Sequence, residues 1–483
     1  MKKIELIIDG ENRPATQNAT YIRCNPFNNE PVTEAAAASA IDAKEAADSA
    51  EEAFKTWSQS TVGERRIKLL KAADIMESYK DEFIHVMVAE TGATPTWAGF
   101  NVMVAAGILR EAASLTSQIG GEIIPSNVPQ NMAMGIRVPC GVVLGIAPWN
   151  APIILGTRAI ATPIACGNTV VLKASEQCPA THQLIGEVLV KAGLGDGIVN
   201  VITNAPEQAA SVVETLIEHK SVRRINFTGS TNIGRIIAEK AAIHLKPALL
   251  ELGGKAPLIV LDDADLDAAV DAAAFGAFFN QGQICMSTER LIVVDSIADE
   301  FAQKLAEKAK SLKAGDPLDN NNALGTLISQ QAGSKLNTLI DDATSKGANL
   351  LSGGYAEGVI MQATLIDNVT SDMRLYNEES FGPVVAMIRV KNEVQAIQIA
   401  NDSEYGLSAA VFSRDIPRAI AVANKIESGI CHINAPTVHD EPQMPFGGVK
   451  ASGYGRFGGK AGIEEFTENR WMTIQLGPRH YPI

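Results

Sequence analysis

From about residue 141 onward, short apolar runs alternate with longer segments of helical periodicity. Runs that are apolar throughout are typical of strands buried on both faces, as in parallel sheets covered by helices. The strand-like runs are 141–148, 168–173, 197–202, 223–229 and 247–252, and the helical segments between them are 153–165, 180–192, 206–219 and 231–243. This alternation predicts an α/β fold.

A second alternating block begins near residue 255. Its strand-like runs are PLIVL, RLIVV, GPVVAMI, AAVFS and CHIN, and helical segments are expected at 266–278, 297–312 and 328–346. A chain of 483 residues is too long for one ordinary core. We therefore predict two α/β domains with parallel-rich sheets, with a boundary close to ELGGK at 251–255.

The remaining segments complete the predicted organisation. Residues 34–57, 62–90 and 95–117 have helical patterns, whereas 121–138 and the tail after about 468 fit neither block. We expect one discontinuous domain (1–120 and 139–251), a second domain (252–450), and two segments (121–138 and 468–483) that bridge between subunits.

Charge and cysteine usage exclude several classes of protein. The net charge of -14 disfavours nucleic acid and anionic membranes as partners. No signal peptide and no apolar run of membrane-spanning length is visible, so we expect a cytoplasmic protein. The six cysteines form neither a C-x-x-C pair nor a Cys/His cluster, which predicts no disulfide and no metal.

Glycine-rich segments were compared as cofactor sites. A literal G-x-G-x-x-G at Gly453, Gly455 and Gly458 follows a loop and has too little chain after it for a dinucleotide-binding unit. FTGSTNIG at 227–234 is better placed, because Gly229 and Ser230 follow a strand and open a helix, where amides can bind phosphate. An ordinary strand–helix turn would use the same residues.

VLKASE at 171–176 lies at the carboxyl end of a predicted strand, where open α/β sheets bind ligands. Lys173 and Glu176 could each bind ribose hydroxyls of an adenosine. A carboxylate there would repel a 2′-phosphate and so favours NAD over NADP. The alternative is a solvated strand end.

Three residues together suggest one reaction. Cys285 lies in FFNQGQICMST, Glu251 ends an apolar strand, and Asn150 lies in the rigid turn APWNAP. Taken singly, they could be a core thiol, a surface carboxylate and a turn asparagine. Together they suit aldehyde oxidation: a thiolate adds to the carbonyl, Asn150 and the Cys285 N–H stabilise the oxyanion, hydride passes to NAD, and Glu251 activates water to hydrolyse the thioester.

Over nearly its whole length the sequence resembles the aldehyde dehydrogenase superfamily. The motifs occur in family order: APWNAP (147–152), VLKASE (171–176), FTGST (227–231), LELGGKAP (250–257), FFNQGQIC (278–285), EESFGP (378–383) and FGGVKASGYGR (446–456). The resemblance implies an aldehyde dehydrogenase-like fold with a small bridging region that builds homodimers or homotetramers.

The resemblance also implies residue roles. Cys285 matches the nucleophile, Glu251 the general base and Asn150 the oxyanion donor. The implied cofactor-binding residues are Trp149, Lys173, Ser175, Glu176, Gly229, Ser230, Glu379 and Phe381.

A more specific resemblance is to bacterial salicylaldehyde, vanillin and hydroxybenzaldehyde dehydrogenases, based on TWAGFN (96–101), RRINFTGST (223–231) and QGQICMSTERLIV (281–293). It implies an aromatic substrate. Trp97 and Phe100 could line an apolar pocket for it together with Phe446, although on sequence alone ordinary helix packing is the favoured explanation of the first two. Arg158 lies in an apolar helix and needs a partner, either a polar group of the substrate or a carboxylate. Our hypothesis is that Arg158 binds and orients an aromatic aldehyde.

Other functions remain open at this stage. They are an aliphatic or semialdehyde dehydrogenase and a non-catalytic binding member of the fold. A coenzyme-A-acylating enzyme is disfavoured because Glu251 supplies a hydrolytic base. An alcohol dehydrogenase would not need the Cys, Glu and Asn set.

Overall fold

An eight-stranded sheet organises the first half of the computed structural model, which describes residues 1–483. The strand order is Gly453–Tyr454, Ala248–Glu251, Val222–Thr228, Val142–Ile146, Thr169–Lys173, Val199–Ile202, Leu6–Ile8 and Glu11–Arg13. The strands from Ala248–Glu251 to Val199–Ile202 are parallel, as the apolar runs predict. Alternate residues of these strands belong to two separate apolar clusters: Leu144 and Val171 to one, Val143 and Leu172 to the other.

Helices cover this sheet on both faces. Those from its parallel half are Pro152–Ala165, Pro179–Lys191, Ala209–Glu218 and Thr231–Ile243, and those from the N-terminal region are Ala40–Trp57, Val62–Ser78, Lys80–Thr91 and Pro95–Leu115. The helix Pro95–Leu115 packs along Pro152–Ala165, so aromatic side chains near residue 97 lie close to the segment around residue 150.

A seven-stranded sheet organises the second half. Its order is Asn349–Ser352, Thr364–Asp367, Val384–Val390, Thr288–Val294, Ala256–Val260, Ser408–Phe412 and Ile430–Ile433, with only the first strand antiparallel to its neighbour. The accompanying helices are Leu266–Phe278, Asp295–Ser311, Gln330–Ser345, Arg374–Asn377, Glu393–Asn401 and Ile416–Ala423. The last helix, Gly459–Glu465, packs instead against Pro95–Leu115 and Pro152–Ala165 of the first half.

Three smaller sheets complete the chain. In one, Thr467–Gln475 pairs antiparallel with Asn131–Pro139, which also pairs with Glu122–Ile124. The others consist of Lys2–Ile4, Pro31–Ala36 and Thr20–Cys24, and of Tyr405–Gly406 with Val449–Lys450. None of the helices combines the length and apolar character that crossing a membrane requires.

Two sequence-based predictions near the N-terminus were wrong. Residues 34–57 do not form one helix: Pro31–Ala36 is a strand, and the helix begins at Ala40 after Ser39, whose side chain caps it. Pairing of Ala35 with Ile4 on one side and Tyr21 on the other overrides the helix propensity of alanine. The segment 62–90 is two helices separated at Tyr79.

Candidate active site

The carboxyl ends of the parallel strands meet at one edge of the eight-stranded sheet. Ile146 is level with Lys173, and Thr228 is level with Glu251. Lys173 therefore lies three strands from Glu251, which is about 14 Å at the usual strand spacing. Such a separation cannot be part of one reacting centre, but an extended ligand along the edge could reach both residues.

Asn150 is fixed by contacts from three directions. Its backbone carbonyl accepts hydrogen bonds from the Trp97 indole N–H (2.9 Å) and the Asn280 amide (3.1 Å). Its side-chain amide donates to the Gln283 carbonyl (3.0 Å). Because an amide nitrogen carries two hydrogens, one remains available beside Cys285.

The turn before Cys285 has an unusual backbone. Asn280, Gln281 and Gly282 all have positive φ, at 49°, 55° and 65°. A Cβ at Gly282 would lie 2.1 Å from the Gly382 carbonyl oxygen, so only glycine fits. Strained backbone of this kind is common at functional sites. No group in the chain accepts a hydrogen bond from the Cys285 N–H, which leaves this donor available.

Glu251 is almost fully buried beside the Cys285 thiol. Only 1% of the residue is exposed, and neither carboxylate oxygen has a hydrogen-bond partner. Burial raises the pKa of Glu251 to about 7, and the Cys285 thiol and Arg158 oppose the rise. Burial and the charge of Glu251 in turn raise the pKa of Cys285 well above its ordinary value. A carboxyl poised near neutrality beside a nucleophilic sulfur is suited to general-base catalysis.

A cavity of about 260 Å³ has Cys285 in its wall. Aromatic rings dominate it: Trp97 stacks on Phe100 at 5.5 Å, and Phe279 meets Trp97 edge-on at 5.0 Å. Phe446 and Phe275 contribute further rings. The sequence-predicted residues Trp97, Phe100, Phe446, Arg158, Asn150 and Cys285 all line this one cavity.

Arg158 has the carboxylate partner that sequence analysis left as one of two options. Its guanidinium lies 2.5 Å from an Asp440 oxygen and 4.5 Å from the centre of the Phe446 ring. Both side chains of the ion pair are more than nine-tenths buried. Arg158 and Asp440 form the only ion pair within the cavity wall, and the ring of the neighbouring His439 is bonded to Glu441.

The residues predicted to bind adenosine form one polar cluster at the sheet edge. Lys173 and Glu176 are ion-paired, and the Asn204 amide donates to the same Glu176 oxygen (2.9 Å). Burial alone would raise the pKa of Glu176, but Lys173 holds it below its ordinary value, so the carboxylate is charged. Ser175 is buried, and its N–H donates to the His182 ring (3.0 Å).

The other predicted cofactor residues extend from this cluster toward Cys285. Ser230 follows Gly229 and caps the helix Thr231–Ile243 from an exposed position. Trp149 meets Phe381 edge-on at 5.7 Å, a contact between the two halves of the chain. Glu379 accepts a hydrogen bond from the Gly254 N–H (2.9 Å), and burial raises its pKa to about 7.

A model described as "Aldehyde dehydrogenase family" matches residues 13–472, nearly the whole chain. The chain belongs to the aldehyde dehydrogenase family. It is an aldehyde-oxidising oxidoreductase that uses a nicotinamide cofactor.

Individual members of the family match over their full length. A vanillin dehydrogenase from Pseudomonas fluorescens is 62% identical, with 100% of both chains covered. A crystal structure of a salicylaldehyde dehydrogenase from Pseudomonas putida G7 complexed with salicylaldehyde is 51% identical, covers 100% of both chains and superposes with a TM-score of 0.99. A betaine aldehyde dehydrogenase from Staphylococcus aureus in complex with NAD+ is 34% identical, with 99% and 96% coverage and a TM-score of 0.95.

Sequence reasoning missed several residues of this aldehyde dehydrogenase site. Lys255 and Glu289 form a fully buried ion pair (2.6 Å), and Glu289 also accepts hydrogen bonds from the N–H groups of Ser380 and Phe381 (3.0 Å each). The pair thereby fixes the turn between Glu379 and Phe381. Lys255 lies within a recognised motif, but no local pattern links it to Glu289.

His182 was missed for a similar reason. Its Nδ1 accepts from Ser175 and its Nε2 donates to the Pro152 carbonyl (3.1 Å), so it joins the segments that carry Lys173 and Asn150. Burial lowers the pKa of His182 to about 3, which keeps the ring neutral. A lone histidine in an apolar helix gives no sign of this role in sequence.

Proposed function

We propose that the chain is an NAD-dependent dehydrogenase of aromatic aldehydes of the salicylaldehyde, vanillin or hydroxybenzaldehyde type, which it oxidises to carboxylic acids. The observation that carries the proposal is the aromatic-lined cavity of about 260 Å³ with Cys285 in its wall. Flat rings stack favourably on Trp97 and Phe100. The names of the vanillin and salicylaldehyde dehydrogenases that match full length support the same substrate class.

In the first step, Cys285 gives its proton to water and its sulfur attacks the aldehyde carbon, which forms a C–S bond, breaks the C=O π bond and leaves a tetrahedral oxyanion. The free hydrogen of the Asn150 amide and the unpaired Cys285 N–H are the donors for this oxygen. Such preorganised donors stabilise charge that exists only in the transition state and intermediate.

In the second step, the oxyanion collapses to a thioester on Cys285. When bound, the nicotinamide supplies the hydride acceptor for this collapse. Glu251 then takes a proton from water, whose oxygen attacks the thioester and breaks the C–S bond. The acid leaves, and Glu251 returns the proton to the Cys285 sulfur. A pKa of about 7 lets Glu251 accept that proton near neutral pH.

The residues at the sheet edge fit a dinucleotide without a 2′-phosphate. Lys173 and Glu176 offer a donor and an acceptor for ribose hydroxyls, and Ser175 lies in the same turn. Gly229 and Ser230 present a helix N-terminus to a phosphate. Trp149 would contact the pyrophosphate, and Glu379 and Phe381 would hold the nicotinamide riboside.

Replacement of the charged Glu176 tests the preference for NAD. We expect Glu176→Gln to raise kcat/KM for NADP relative to NAD by about 10-fold or more, because the repulsion of a 2′-phosphate is removed. Steady-state kinetics with both cofactors measure this ratio. Glu207→Gln, at an exposed carboxylate after the next strand, is the matched control. A ratio that stays unchanged in Glu176→Gln would contradict the assignment.

The substrate class is tested by NADH formation across a panel of aldehydes. We expect salicylaldehyde, vanillin, hydroxybenzaldehydes and benzaldehyde to have the highest kcat/KM, because an aliphatic chain cannot fill the ring-lined cavity as well. Higher efficiency with short aliphatic aldehydes or semialdehydes would overturn the aromatic assignment and leave the thioester chemistry intact.

We further propose that different segments of the chain have different functions. Residues 1–120 and 139–251 would bind NAD, 252–450 would carry the nucleophile, and 121–138 with 468–483 would join subunits into a homodimer or homotetramer. The small sheet of Glu122–Ile124, Asn131–Pro139 and Thr467–Gln475 exposes Ile123 and Trp471 at 78% and 80%. Exposed apolar side chains of this size favour contact with another subunit.

A further inference from the structure

Asp440 is the one carboxylate that lines the cavity beside Cys285. One of its oxygens, Oδ2, accepts from the Arg158 guanidinium at 2.5 Å, and only 9% of its side chain is exposed. Arg158 reaches this position from the helix Pro152–Ala165, whose residues are all buried. The ion pair therefore holds Asp440 at a fixed place in an otherwise mostly apolar wall.

The second oxygen of Asp440 has no partner. Oδ1 is buried and accepts no hydrogen bond. A buried acceptor left unpaired is costly, and the cost is greater for a charged group. The only other carboxylate beside Cys285 with unpartnered oxygens is Glu251, whose oxygens are needed for water activation. Nothing in the proposed chemistry uses Asp440 Oδ1.

We propose that Asp440, anchored by Arg158, accepts a hydrogen bond from a phenolic hydroxyl on the ring of the substrate. The inference rests on the proposed function and deepens it, because it selects ring-hydroxylated aldehydes within the aromatic class. The terminal torsion of an aspartate is soft, so a small rotation turns Oδ1 toward a ligand while Oδ2 stays with Arg158. Arg158 is then a positioning residue that acts through Asp440.

Among the side chains that line the cavity, Asp440 has the only carboxylate oxygen without a partner. Trp97, Phe100 and Phe446 offer ring faces. The Asn150 side chain contacts the Cys285 turn, and His439 is bonded to Glu441. An aldehyde bound with its carbonyl at Cys285 therefore has apolar walls along its ring and one charged acceptor.

The wild-type enzyme provides the first test. We measure kcat/KM for benzaldehyde, the three hydroxybenzaldehydes and the three methoxybenzaldehydes. A methoxy group has the same oxygen but cannot donate. We expect at least one hydroxy isomer to exceed its methoxy counterpart by about 10-fold or more, which is the usual range for a hydrogen bond to a charged group.

Asp440→Asn provides the second test. Arg158 has only donors, so it keeps the asparagine oxygen and turns the amide NH2 toward the ligand. A donor there treats hydroxy and methoxy groups alike, and we expect the hydroxy-to-methoxy ratio to fall about 10-fold. Glu441→Gln, which removes the adjacent and more exposed carboxylate, is the matched control and should keep the wild-type ratio.

The outcomes separate this inference from the proposed function. Two results would overturn the role of Asp440 and leave the aromatic substrate class intact. In the first, the wild type oxidises methoxybenzaldehydes well and prefers no hydroxy isomer. In the second, Asp440→Asn keeps or increases the hydroxy-to-methoxy ratio of kcat/KM. An increase would mean that Arg158 binds a phenolate instead. If the wild type oxidises no aromatic aldehyde, the proposed function falls, and this inference with it. Benzaldehyde turnover by Asp440→Asn reports whether the variant is folded.

Discussion

Cys285→Ala is expected to lower kcat for aldehyde oxidation by about 10⁴-fold or more, because no other group can form the covalent intermediate. Cys285 is the only cysteine in the wall of the aromatic cavity. The turn that contains Cys285 is fixed by Gly282 and by the hydrogen bond of Asn150. The alanine variant keeps the cavity, so binding of aldehyde and cofactor should persist. Stopped-flow detection of NADH should show neither a burst nor turnover.

Cys431→Ala is the matched control for this prediction. Cys431 is the exposed cysteine of the chain and does not line the cavity, so its loss should leave kcat unchanged. Substantial NADH formation by Cys285→Ala would show that the carbonyl is oxidised without a thioester. The proposed mechanism would then be wrong, whatever the substrate preference.

Glu251→Gln is expected to form the thioester but not to hydrolyse it. The glutamine amide has nearly the same shape but cannot take a proton from water, so steady-state kcat should fall by about 10²- to 10⁴-fold. The nucleophile should not weaken, because the charge of Glu251 is one cause of the raised pKa of Cys285 and the variant removes that charge. We therefore expect a burst of one NADH per active site, followed by very slow turnover.

The size of the burst distinguishes the two steps. Cys285→Ala should give no burst under the same conditions, which makes it the negative control. If Glu251→Gln shows full steady-state turnover, another group activates the water. If its burst is absent while the variant still binds NAD and aldehyde, Glu251 is needed before the thioester forms.

The central part of the fold could be predicted from sequence because its signals are local. Parallel strands buried on both faces appear as apolar runs, and Val142–Ile146 and Thr169–Lys173 lie where these runs predict them. The ends of such strands meet at one edge, and the motif with Lys173 was expected to bind a ligand there. The order of the motifs along the chain also indicated the protein family.

Other elements depend on partners that are distant in sequence. Thr467–Gln475 pairs with Asn131–Pro139 across more than three hundred residues, with Thr467 opposite Pro139, and neither segment has a periodicity that reveals the pairing. The strand Pro31–Ala36 ends in alanines that continue into a helical pattern, and it pairs with strands on both sides. Local propensity cannot predict elements that tertiary pairing creates.

The candidate site likewise contains residues that sequence motifs reveal and residues that only the structure reveals. Cys285, Glu251 and Asn150 lie in motifs that could be recognised one at a time. Asp440 became visible only when the structure placed it against Arg158, 282 positions away. An unpaired arginine in an apolar helix signals that a partner must exist, but not which residue it is.

The most direct test of the account is the mass of the Glu251→Gln protein after reaction with NAD and a hydroxybenzaldehyde, followed by peptide mapping. We predict one aroyl group per chain, attached to the peptide that contains Cys285 and removed by hydroxylamine, as a thioester would be. Formation of NADH and acid with no adduct on Cys285, or an adduct on another residue, would contradict covalent catalysis by this cysteine.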